Sequence, residues 1–311
     1  MGRRALAAAV TLSALMACSR TAASNGPVNR EHGIPIRASE IHGPGTRMGD
    51  GFTVPPGAVL AGPVLSTTYS SNTGHVRTWF ATLGIDGPPI DVMQQLANQA
   101  HASGLTLAPE GGFCPSMPRV PVPQPRFCRY TSTPIMRGQP TTSRSFSVEV
   151  QQTDAPTTIG FVTYTDLAAG PEIVFQADHP TVAAPDLTLA PLPAQRGAAH
   201  GRLPQEGEEI APGIPMLPNT AAVTPLFRSW RGQTEAVLRV TDEPDTVFRR
   251  YVHLLKDLYG SLSRSPTNRS GPWRVQYASF EEGFEDGAGG TIHLFTAGNR
   301  AYIRLELHPS A

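Results

Sequence analysis

The chain has 311 residues whose 25 basic and 25 acidic side chains cancel, and charged residues make up only 16 % of it, a balance that excludes nucleic-acid binding by charge attraction alone. Its 31 prolines and 30 glycines exceed the usual ~5 % and ~7 %. Only Lys256 among the basic residues is a lysine, a bias that coding in a GC-rich bacterial genome explains.

At the N-terminus, Arg3 and Arg4 precede an apolar run over residues 5–16, too short to span a bilayer core of about 30 Å as a helix. Residues 1–17 therefore read as a cleaved export signal, ending in Leu15-Met16-Ala17-Cys18. In these residues the N-terminus resembles a bacterial lipoprotein precursor, with Met16 standing where a smaller residue is usual. The resemblance covers the first 18 residues. It implies that Cys18 carries a thioether-linked diacylglycerol, which places the chain on the cell membrane, facing outside the cytoplasm. Acyl chains contribute about 0.8 kcal/mol per buried methylene, so two or three of them give a lasting anchor. The alternative is an ordinary secretory signal cut nearby, for instance after Ala23, which yields a secreted chain without Cys18.

Residues 18–50 are polar, punctuated by Gly and Pro and without sustained periodicity, the composition of a flexible tether. A coil of about 32 residues spans on average about 30 Å. A first unit follows over residues 51–169. It opens with a period-two strand through Ala81, Leu83 and Ile85. Pro89 comes next, then an amphipathic helix over 90–100 whose buried stripe is Val92, Met93, Leu96, Ala97 and Ala100, with Asp91 as N-cap. Gly104 terminates it. Strands over 127–132, 145–151 and 158–165 complete the unit.

Between helix and strands lies a loop bracketed by Cys114 and Cys128, with prolines at 115, 118, 121, 123 and 125. In an oxidising compartment these two cysteines are an even pair and read as a disulfide. Closing such a loop stabilises by about 3 kcal/mol in the chain-entropy model, and by less where proline already stiffens the unfolded chain. Metal binding would need further ligands, and no His or other Cys stands close by.

Residues 170–205, with five prolines from Pro180 to Pro204, read as an interdomain linker. The second unit, 206–311, reads as a repeat of the first. At one shift Ala236, Leu238 and Val240 fall on the first strand and Pro244 on Pro89. Val247, Phe248, Tyr251, Val252 and Leu255 fall on the helical stripe, with Thr246 as N-cap. Gly260 faces Gly104, and Ile210-Ala211-Pro212-Gly213 faces Val54-Pro55-Pro56-Gly57. Strands over 273–280, 291–296 and 301–307 follow, the last two joined at Gly298-Asn299. The expected fold class is thus α+β, two tandem β-α-β-β-β units, each with one helix packed on an antiparallel sheet and a groove between the units.

The second helix carries Arg249, His253 and Lys256 at helical spacing with Arg250 beside them, a basic stripe open to an acidic partner or an anionic surface and equally the composition of a solvated face. Residues 281–287 are acidic but lack the alternating ligands of a calcium loop. Trp79, Trp230 and Trp273 lie in or beside expected strands, where a core role is the default. Linear hydrolase motifs (Gly-x-Ser-x-Gly, Ser-x-x-Lys, His-Glu-x-x-His) are missing, and the nine histidines, His75, His101, His179, His253 and His293 among them, are dispersed. No catalytic residue, metal site or cofactor is assigned. The expected function is non-catalytic binding by a lipid-anchored envelope-accessory protein, whose partners are the membrane through Cys18 and an envelope protein or anionic surface. The alternatives are a carrier of a small molecule or lipid in the groove between units and an enzyme with a loop-assembled site.

Overall fold

A computed structural model describes residues 28–29, 36–37, 41–71, 74–86, 89–107, 127–131, 143–152, 158–168, 203–228, 233–281 and 288–308. Among these residues the chain is mostly antiparallel β-sheet, with two helices. The expected α+β class, two tandem β-α-β-β-β units, is overturned: strand predominates over the two helices, and each helix is preceded by more than one strand and followed by four.

A short ladder pairs β1 (Val28–Asn29) with β2 (Ile36–Arg37). The first large sheet uses β3 (Ile41–His42), β6 (Ala58–Ser71), β7 (Gly74–Ile85), β8 (Thr106–Leu107), β9 (Phe127–Thr131), β10 (Ser143–Gln152) and β11 (Thr158–Ala168), in the order β3-β6-β7-β11-β10-β9-β8. Helix α1 (Pro89–Ala102) follows β7, and a small hairpin, β4 (Arg47–Gly49) with β5 (Phe52–Thr53), precedes β6. The second half repeats this connectivity. Its hairpin is β12 (Glu209–Ala211) with β13 (Ile214–Pro215). Its sheet runs β14 (Thr220–Ala222), β16 (Thr234–Val240), β20 (Arg300–His308), β19 (Gly289–Ala297), β18 (Trp273–Glu281), β17 (Ser261–Ser270), with β15 (Phe227–Arg228) also on β16 and helix α2 (Pro244–Tyr259) after β16.

The strands that sequence periodicity misses have physical reasons to be missed. In β6 the pairing register shifts between Ala61 and Leu65, where Gly62-Pro63 interrupts the alternation. The second sheet breaks at the matching place, Thr224-Pro225, into β14 and β15. Strand β17 is a sheet edge, SLSRSPTNRS in sequence, where Pro and polar residues are tolerated because one side of the ladder needs no partner. Residues 41–50, assigned to the tether on composition, hold β3 and β4, the first strand of the β4–β5 hairpin, and Met48 is buried.

Both helices bury the stripe that their spacing predicts: Val92, Met93, Leu96, Ala97 and Ala100 on α1, and Val247, Phe248, Tyr251, Val252 and Leu255 on α2. Each of the larger side chains contributes about 1.5–3 kcal/mol on burial. The helix starts differ from expectation. Asp91 and Thr246 lie inside the first turn, because Pro89 and Pro244 begin the helices with a backbone angle already suited to that position. Glu243, at φ 44°, precedes α2 without a side-chain capping bond. Gly104 and Gly260 do end the helices, at φ 77° and 78°, a conformation that favours glycine.

The two hairpins correspond, but not as the sequence suggests: Gly51 matches Gly213, and Val54 matches Met216. Gly45 N donates to Val54 O at 2.8 Å and Gly207 N to Met216 O at 2.9 Å. In each half the helix fastens the end of the hairpin or the residues just after it. Gln99 of α1 bonds Thr53 in both directions at 2.8 and 3.1 Å, and Leu217 N donates to the Tyr251 hydroxyl of α2 at 3.1 Å.

Each helix covers one face of its own sheet, over Phe52, Trp79, Phe146 and Tyr164 in the first half and Ile210, Phe280, Leu294 and Ile303 in the second. Trp79 Nε1 donates to Asp50 Oδ2 at 2.8 Å, and Arg77 pairs with the same carboxylate. The uncovered faces of the two sheets pack on each other through Leu65, Phe80, Val223, Val237, Trp273, Val275, Phe295 and Tyr302. Four layers result, helix, sheet, sheet and helix. Trp273 Nε1 bonds Val64 O at 3.1 Å across this boundary, and the Thr68 and Ser270 hydroxyls meet at 2.9 Å. At Gly62, φ 75°, a Cβ would stand 2.7 Å from Val223 Cγ1, so the close approach of the two halves requires glycine there.

Candidate functional site

Strand period decides which side chains reach the space between the sheets. On β20, Ile303, Leu305 and Leu307 join the core under α2, so Arg304 and Glu306 face the other sheet. On β19, Ile292 and Leu294 lie under the helix while Thr291 and His293 turn away from it. On β7, Trp79 and Ala81 go to α1, leaving Thr78 and Phe80. Together with Thr67, Thr68 and Tyr69 of β6 and Asn268, Val275 and Tyr277 of the second sheet, these residues line a cavity of about 370 Å³.

At its base is an ion cluster. Arg304, with only 3 % of its side chain exposed, donates from Nη2 to Glu235 Oε2 at 2.8 Å, and its Nη1 lies 2.9 Å from Glu306 Oε2. Its guanidinium lies 3.8 Å from the Phe80 ring centroid and 5.3 Å from that of Phe161, a cation–π arrangement that joins the two sheets. The other Glu306 oxygen accepts from Gln233 Nε2 at 2.9 Å.

Burial pushes Glu235 up to about 7 against the pull of Arg304. Burial also raises Glu306, but Arg304 and His308 outweigh it and bring that carboxyl down to about 2. Burial lowers Arg304, yet the two carboxylates hold it above its ordinary value, so it stays charged. Burial, then the nearby Arg304 charge, lowers His293 to about 3, and its imidazole is neutral at physiological pH. That ring packs among Tyr277, Phe295 and Phe80, at centroid distances of 4.7, 5.7 and 6.4 Å.

Three buried polar atoms here, Thr291 Oγ1, His293 Nδ1 and Arg304 Nε, have no hydrogen-bond partner among the described residues. Such groups are uncommon in a closed protein interior and gain most from a ligand or ordered water. With Nδ1 unpartnered, the cleft holds no hydroxyl–imidazole pair through that nitrogen. The cleft presents neutral hydroxyls, aromatic faces and an internally compensated ion cluster.

The residues singled out from sequence lie elsewhere. Arg249, Arg250, His253 and Lys256 are all exposed on α2, the outermost layer, with the second sheet between them and the cleft. Arg249 is held by its own helix, donating to Asp245 O and Thr246 Oγ1 at 3.2 Å each. Cys18 and Cys114 are outside the described residues. Of Cys128 only the backbone is described, in β9 opposite Val148. Trp79 and Trp273 are buried, whereas Trp230, His179 and residues 282–287 are outside the described residues. Among the described residues no group of three or more His, Cys, Asp or Glu could hold a metal ion. No described helix is long and apolar enough to cross a membrane.

Glu235, Arg304 and Glu306 were not singled out from sequence, and His293 stood only among dispersed histidines. The available signal was charge on alternate positions of otherwise apolar strands, as in Ile303-Arg304-Leu305-Glu306-Leu307.

No protein-family model and no curated protein matches the chain. Two solved structures are similar at a low level. One is the bifunctional dehydratase-cyclase domain in ambruticin biosynthesis, at 12 % identity and TM-score 0.17 over 80 % of this chain and 96 % of that one. The other is a conserved protein of unknown function with hot dog fold from Alicyclobacillus acidocaldarius, at 10 % identity and TM-score 0.14 over 78 % and 94 %. At these scores neither likeness bears on the fold or the activity of this chain.

Proposed function

We propose that the chain is a lipid-anchored extracytoplasmic binding protein that carries a small molecule in the cleft between its two sheets. The observation that supports this reading is the cavity of about 370 Å³, bordered by Thr291, His293 and Arg304 with their unpartnered polar atoms. Ligand sites occupy about 300–1,000 Å³ and combine apolar walls with a few placed polar groups. Phe80, Val275 and Tyr277 supply such walls.

Native mass spectrometry of the full chain tests the site. A bound species that is released on denaturation, and is lost in Val275→Phe, supports the carrier. A chain that emerges empty both as purified and after incubation with a membrane extract overturns it. Anchoring is tested separately by metabolic lipid labelling of the chain against Cys18→Ser. Equal labelling of the two would return the protein to the secreted class.

A further inference from the structure

Resting on the reading of the inter-sheet cleft as a ligand site, we propose that its ligand is an uncharged amphipath, with an apolar body and a hydroxyl- or amide-bearing end. Every full charge at the cavity is already matched within the protein. Arg304 is the one guanidinium among the lining residues, and both of its terminal nitrogens are engaged, with Glu235 at 2.8 Å and Glu306 at 2.9 Å, while its flat face lies on Phe80. An anionic ligand could reach only the unpartnered Nε–H of Arg304, and there it would sit beside the two carboxylates that already compensate the guanidinium charge. The lining residues hold no second cation, since the neutral His293 gains its charge only far into the acid range.

A cationic ligand meets the converse obstacle. Glu306 is the one carboxylate among the lining residues, and its oxygens are held by Arg304 and by Gln233 at 2.9 Å. An ammonium group would therefore compete with a guanidinium already desolvated and in place. Apart from Nε–H of that compensated guanidinium, the unpartnered groups of the cleft are neutral, Thr291 Oγ1 and His293 Nδ1. The Thr68–Ser270 and Thr78–Thr165 hydroxyl pairs, at 2.9 and 3.2 Å, are uncharged bonds that a ligand hydroxyl can enter by exchange, donating to one oxygen and accepting from the other. Tyr69, 48 % exposed, stands at the rim where such a ligand would enter.

The test is calorimetric titration of the full chain with three probes of equal chain length, each below its micelle concentration: octyl glucoside (uncharged), octanoate (anionic) and octylamine (cationic). Octyl glucoside is expected to bind at one site, at least tenfold more tightly than either charged probe. Its affinity is expected to fall at least tenfold in Val275→Phe, which fills the cavity, and to weaken in Tyr69→Ala, a rim change that leaves the buried groups in place. If octanoate or octylamine binds as tightly as octyl glucoside and Val275→Phe abolishes that binding, the ligand class is overturned while the cleft stands as a site. Octyl glucoside binding that neither variant alters lies outside the cleft and overturns the proposal. Absence of cleft-dependent binding by all three probes overturns the ligand class and the carrier reading together.

Discussion

The two halves of the molecule share one connectivity and one way of covering a sheet with a helix, yet they bring different chemistry to the space between them. The first half presents threonines and phenylalanines, with Thr67, Thr78, Thr82, Phe80 and Phe161 all on its inner strands. The second presents Glu235, His293, Arg304 and Glu306, and has buried an ion cluster against its twin. Under the helices the halves are interchangeable in kind, apolar stripe on apolar sheet. A doubled fold is free to diverge on the face that its two halves share. Packing under each helix restrains one face, and the shared face, closed only when both halves are present, can acquire polar groups that neither sheet could leave buried alone.

Removing Arg304 is the largest perturbation of that asymmetry. Arg304→Met leaves Glu235 buried without its counter-charge, and a loss of about 3–5 kcal/mol in urea unfolding at pH 7 is expected. The loss should shrink at pH 5, where Glu235 is protonated, and grow at pH 8. Equal losses at both pH values would place the contribution of Arg304 in its pairing with Glu306, ionised throughout this range, and its packing on Phe80 instead of in its pairing with Glu235.

The cluster's titration gives the next effect, and its two members pull in opposite directions. Glu235 has a folded pKa, about 7, above its ordinary 4.5. Its contribution is therefore fully present below pH 4.5 and is lost as pH rises through 7, a loss on the order of 3 kcal/mol. His293 has a folded pKa, about 3, below its ordinary 6.5. Its contribution is present above pH 6.5 and is lost as pH falls toward 3, again by a few kcal/mol. Between pH 4.5 and 6.5 the two slopes oppose each other, so the unmodified chain should be nearly flat there. Chemical denaturation across pH should show Glu235→Gln gaining stability as pH rises through that window and His293→Phe losing it. Parallel slopes in the two variants would break the assignment of both shifts to the cleft.

How far the sequence carries this picture depends on what each residue's pattern encodes. The helix stripes are legible because the 3.6-residue period records burial against a single partner, the chain's own sheet. Strands β10, β18, β19 and β20 are legible within two residues at either end for the corresponding reason. β6 is hidden by Gly62-Pro63 and β17 by a Ser-rich edge that needs no apolar face. The cleft is hidden more deeply. Arg304 and Glu306 alternate with Ile303, Leu305 and Leu307, which is also how a half-solvated strand reads, and only the packing of one sheet on the other shows that their face is interior. The basic stripe of α2 follows a helical period just as clearly, and there the exposed face is in fact exposed.

Gly62 tests the contact between the halves more locally. Gly62→Ala places a methyl group 2.7 Å from Val223 Cγ1 at φ 75°, for which a loss of about 1–3 kcal/mol in thermal or urea unfolding is expected from overpacking and backbone strain. Gly62→Ala should cost less in a Val223→Ala background, where the collision is cleared, than in the unmodified chain, the buried Val223→Ala alone serving as the reference. If the cost is the same in both backgrounds, the backbone angle carries the whole effect, and the close approach of the two halves contributes nothing at this point.

The smallest effect concerns how α2 begins. Glu243 occupies the left-handed region at φ 44° and ψ 58° with no side-chain capping bond, so its side chain bears the steric penalty of that conformation without returning a hydrogen bond to the helix. Glycine adopts this backbone freely, and Glu243→Gly should stabilise the chain by about 0.5–1 kcal/mol, reduced by glycine's larger entropy in the unfolded state. The change lies on the far side of the second sheet from the cleft. A rise in melting temperature with octyl glucoside affinity unchanged would show that the helix layer of the second half can be tuned independently of its inner face. A shift in affinity would show that the α2 layer and the cleft face of the second sheet are coupled through the strands between them.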